Sequence, residues 1–168
     1  MQYSQYDYHH YSLMHDIFSS DYHEVNQYVL DLYVRPKRFI EETSAPLDRF
    51  LREYTLPGVP RQAEVPTQTV LDFINQIDEF TAQTVSLFDE HKTHVTLCTQ
   101  YMHKVSLLKE IEHDKVEEEV RLNYLELAPE LMQVREGLTK IKEKADWMAE
   151  RLENLQNRWA GMKGAING

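Results

Sequence analysis

The chain has 168 residues, enough for one domain or one extended subunit, and its 5 glycines and 27% charged residues suit long helices better than a sheet-rich fold. Its net charge of −10 falls unevenly: residues 1–128 carry 11 Lys and Arg against 22 Asp and Glu, and residues 129–168 carry 7 against 6. An acidic chain without a basic stripe is a poor binder of nucleic acid or of anionic lipid, and a single cysteine, Cys98, excludes an intramolecular disulfide.

Residues 1–20 have no clear helical period. The stretch YSQYDYHHY, residues 3–11, holds four tyrosines and two histidines, with His15 and Asp16 just beyond. It reads as a flexible arm, either a leader or a docking element that lays aromatic rings on a partner. Asp21, with Glu24 three residues on, has the form of a helix cap, and Val25, Tyr28, Val29, Leu32 and Tyr33 follow at helical spacing. Pro36 is expected to stop or bend that helix, and a second short helix after Ser44 carries Leu47, Phe50, Leu51 and Tyr54. Residues 21–54 therefore form small N-terminal helices, closed by TLPGVPRQAEVP, residues 55–66, whose three prolines and one glycine make it a linker.

From Thr67 to residue 128 neither Pro nor Gly occurs. The spacing predicts one long helix, of roughly 90 Å at ~1.5 Å per residue. A heptad seam fits from Val70, with Ile77, Thr84, His91, Cys98 and Val105 in one row and Ile74, Thr81, Phe88, Val95 and Met102 in the other. After Pro129, residues 129–163 have the cleanest seam. Leu131, Val134, Leu138, Ile141, Ala145, Met148, Leu152, Leu155, Trp159 and Met162 alternate by three and four, and residues 164–168 form a tail.

A stripe of that length must be buried, at roughly 1–2 kcal/mol per side chain. It can fold back on helix 67–128 through the break at Pro129, or it can meet a partner chain. The flanking Arg135, Lys142, Lys144, Arg151, Arg158 and Lys163 include no acid. They disfavour a parallel homodimer and favour an acidic-flanked helix of another subunit.

Chemical signatures are thin. His91, His94 and Cys98 share one helical face, yet their spacing matches no familiar zinc motif, and two of them lie on the seam. A polar notch that fixes pairing is the better account. Glu110 and His113 form one E-x-x-H unit without the second copy that a di-iron bundle needs. There is no phosphate loop and no nucleophile elbow. The expectation is a chain that is no enzyme and has no cofactor.

The C-terminal two-thirds resembles the small helical subunits of the complex for biogenesis of lysosome-related organelles and of its lysosome-positioning sister complex, the snapin, pallidin and cappuccino-like proteins. The resemblance rests on QIDEFTAQTVSLFDEHKTHV, the break at LELAPEL and the final helix IKEKADWMAERLENLQNRW. It implies a non-enzymatic subunit of an elongated hetero-oligomer in endosome-to-lysosome traffic.

The expected fold is all-α, an elongated long-helix coiled coil with a small N-terminal helical element. The expected role is assembly with other helical subunits in the cytoplasm, with no nucleic acid and no direct membrane insertion. The rival roles are a kinetochore, spindle or nuclear-pore scaffold subunit and, from another class, a compact helical-bundle metal-binding protein or enzyme.

Overall fold

The computed structural model describes residues 5–55, 67–111 and 125–167, with side chains over 13–53, 67–108 and 125–166. Among the described residues the chain is all-α: α1 spans Gln5–Thr55, α2 spans Thr67–Ile111 and α3 spans Ala128–Asn167.

α1 corrects the expected N-terminal organisation. Residues 5–20 are helical rather than a loose arm, and the helix passes through both Pro36 and Pro46 instead of dividing at residues 36–43. A proline inside a helix lacks a donor and crowds the preceding turn. Burial offsets that cost. His15, Phe18, Tyr22, Val25, Val29, Leu32, Pro36 and Phe39 step by three and four along one buried face, so Pro36 sits within the packed row. Near Pro46 the rhythm changes: Phe39, Thr43 and Leu47 follow at two successive steps of four before Phe50. That local change of register is the behaviour of a stutter. The Thr43 hydroxyl donates to the Phe39 carbonyl at 3.0 Å, which gives the buried hydroxyl a partner.

Residues 1–4, the linker from 56 to 66, residues 112–124 and residue 168 lie outside the described residues. α3 starts at Ala128, so Pro129 stands in the first turn, where its missing N–H is harmless. The Leu131 amide donates to the Leu127 carbonyl at 2.9 Å.

The chain divides into two compact units. Unit 1 combines α1 up to Tyr28 with α2 from Phe88 and α3 up to Glu143. Unit 2 combines α1 from Val29 with α2 up to Leu87 and α3 from Lys144. Within each, α2 and α3 run antiparallel. In unit 1, His94 meets Val134 and Lys104 meets Glu130. In unit 2, Phe73 meets Trp159 and Gln76 meets Arg158.

Candidate functional site: a histidine-bearing core and a tryptophan groove

Unit 1 has an unusually polar interior. His15, His91 and His94 are all buried, each at most 8% exposed, beside Cys98 and Tyr101. The seam spacing puts them there, because residues 91, 94, 98, 101 and 105 keep the three-and-four step that brings side chains to one face. His15 on α1 pairs its Nδ1 with the Tyr101 hydroxyl at 3.2 Å, and Phe18 meets the same tyrosine ring edge-on.

His94 crosses to α3. Its Nε2 lies 2.9 Å from the Val134 carbonyl oxygen, so this nitrogen carries the hydrogen and donates it. Gly137 makes room for the ring, since a Cβ there would fall 2.6 Å from His94 Cδ2. The Cys98 sulfur is 3.6 Å from His94 Nδ1. Burial pushes the Cys98 thiol up to about 12, which keeps it protonated. The His91 Nε2 is buried without a hydrogen-bond partner among the described residues. Burial first, and His94 second, push the His91 pKa below its ordinary value. Burial also raises the Tyr22 hydroxyl, with Cys98 adding to the effect and a hydrogen bond from Thr99 opposing it.

Unit 2 is apolar by comparison. Phe73 and Trp159 stack with ring centres 6.3 Å apart and planes within 5°, and the Arg158 guanidinium lies 5.6 Å above the Phe73 ring while bonding to Gln76. On the outside, Gln83, Ser86 and Leu87 of α2 and Lys144, Trp147 and Met148 of α3 line an open groove of about 250 Å³. Trp147 is 46% exposed there, beside buried Leu87 and Met148. An indole over an apolar floor, next to an ammonium, is suited to a protein contact rather than to bond-making.

The predicted seam divides between two environments. Leu131, Val134, Leu138, Ile141, Met148, Leu152, Leu155, Trp159 and Met162 on α3 are buried, as are Val70, Ile77 and Val105 on α2. Ile74, Phe88, Val95 and Met102 are only half-buried. The second row of α2 instead closes on Phe73, Phe80, Leu87, His94 and Tyr101, one residue earlier in each heptad. The sequence held a signal for this: Phe73, Phe80 and Leu87 each follow a first-row residue by three. All of this burial arises within the single chain. It fills the fold-back alternative for the α3 stripe and leaves outer faces for any partner.

Among the described residues, no group of three or more His, Cys, Asp or Glu side chains could hold a metal ion. No described helix is long and apolar enough to cross a membrane. No family model, curated protein or solved structure matches the chain.

Proposed function

We propose that the chain is a non-enzymatic assembly subunit that receives an amphipathic helix of a different subunit on the outer face of unit 2. The Trp147 groove is the observation that carries this reading. A large aromatic side chain half open to water over Leu87 and Met148 is a ready anchor point. Lys144 stands in the groove wall, with Arg151 one heptad further along α3. The matching partner helix presents an apolar anchor with acidic flanks. The inner stripe is satisfied within the chain, so assembly uses a second surface rather than the stripe itself.

The resemblance to subunits of the two lysosome-related complexes extends the proposal to endosome-to-lysosome traffic in the cytoplasm, and it names the first partners to try. Tagged full-length chain is captured from cells, its co-purifying helical subunits are identified, and capture is repeated with Trp147→Ala combined with Lys144→Glu. The proposal expects the double variant to stay folded and to lose those subunits. Undiminished capture by a folded double variant would sink it.

A further inference from the structure

Unit 1 contains the buried imidazoles of the described residues: His15 on α1 and His91 and His94 on α2. Among the described residues of unit 2, the buried ones include no histidine and no acid. We propose that unit 1 is an acid-sensitive element: proton uptake by His91 opens it in mildly acidic solution, while unit 2 keeps its packing.

The geometry explains why the His91 ring tolerates only the neutral form, with His94 as its fixed neighbour. His94 already spends its Nε2 hydrogen on the Val134 carbonyl. The ring has little freedom to turn away, because it fills the space above Gly137. His91 has a buried Nε2 with no partner among the described residues, and a charged ring would need one.

The surrounding groups offer little compensation. From α1 the inner row presents His15 and Tyr22, and His15 is engaged with the Tyr101 hydroxyl. From α3 the inner row in this unit is Leu131, Val134, Leu138 and Ile141, which carries no charge. The α3 acids stand outside it: Glu130 is paired with Lys104 across to α2, and Glu136 and Glu143 are exposed. On α2 itself, Asp89 and Glu90 beside His91 are exposed, as is Lys92. The electrostatic influence that reaches His91 is that of His94, and it acts in the same direction as burial.

The sign follows from linkage. In the unfolded chain His91 titrates near 6.5; in the fold its pKa is lower. The fold therefore has its full stability above about 6.5, and stability falls as pH drops from there through the folded value, because the open state takes up more protons. Carboxylates titrate well below that range, so a window from about pH 7.5 to about 5.5 isolates the imidazoles.

Hydrogen exchange on the full chain, corrected for the intrinsic effect of pH, tests this. On acidification, α2 amides in residues 88–108 should lose protection while those in residues 70–87 keep theirs. His91→Leu should blunt the loss, and the exposed His103→Leu should not. Proton resonances of the His91 ring give a second reading that needs no variant, and they should show a pKa below the ordinary value. The proposal is overturned if residues 88–108 hold their protection, if residues 70–87 lose theirs at the same midpoint, if a folded His91→Leu responds like the parent chain, or if His91 titrates normally.

Discussion

His94 on α2 donates from Nε2 to the carbonyl oxygen of Val134 on α3 at 2.9 Å, and the ring passes over the bare Cα of Gly137. The hydrogen bond needs the ring close to α3, and the close approach needs a residue with no side chain. A helix interior normally disfavours glycine by about 1 kcal/mol relative to alanine. At position 137 that cost is the condition for a buried imidazole to reach a backbone carbonyl.

Gly137→Ala should therefore destabilise the chain. Its Cβ would sit 2.6 Å from His94 Cδ2 and 2.8 Å from Nε2, and the ring is held by its bond to Val134. Overpacking of this kind costs about 1–3 kcal/mol, against a helix-propensity gain of about 1 kcal/mol. Gly161→Ala is the control, because a Cβ there meets nothing within 4 Å. It should stabilise by about 0.5–1 kcal/mol. Denaturant midpoints that move in opposite directions would bear this out, and a stabilising Gly137→Ala would refute the fixed position of the ring.

The register of α2 can be read from a neighbouring pair. Phe73 is fully buried and stacked on Trp159, while Ile74 is half-buried. Phe73→Ala should cost about 3–5 kcal/mol. Ile74→Ala should cost only about 1 kcal/mol. Equilibrium unfolding of the two variants decides the matter, and a larger loss at Ile74 would favour the other frame.

Cys98 should react only when the structure opens around it. The thiolate is the reactive form, and burial both shields the sulfur and raises its pKa to about 12. At neutral pH a thiol reagent should modify the folded chain far more slowly than the denatured chain. A thiol held protonated in the fold contributes stability that is complete below the ordinary value of 9.0 and is lost as pH rises from there towards about 12. Labelling followed against pH and denaturant checks both statements, and folded-state labelling as fast as denatured-state labelling would contradict them.

Much of the architecture was legible in residue order. The three-and-four rhythm of α3 reads directly as Leu131 through Met162, and each of those residues is buried in the structure. The α2 rhythm was half legible. Val70, Ile77 and Val105 are buried, but adjacent apolar pairs such as Phe73 and Ile74 allowed two frames, and a one-dimensional pattern does not choose between neighbours that are both apolar. In α1 the prolines misled, because the local cost of Pro36 is visible in sequence while the packing that offsets it is not.

By itself, the sequence determined the helical class, the absence of strand-like alternation, and the existence of apolar stripes that had to be covered. Only the tertiary structure decided what covers them. Burial of a stripe is dictated by its own side chains, but its partner is set by which other stripe reaches it in space. Here α1, α2 and α3 supply one another in each unit, with Tyr101 reaching His15, His94 reaching Val134 and Phe73 reaching Trp159. The same decision joined His91 and His94, a notch in the pattern, to His15 of α1 in one buried core, and the charge state of His91 depends on what surrounds it there and not on its place in the chain.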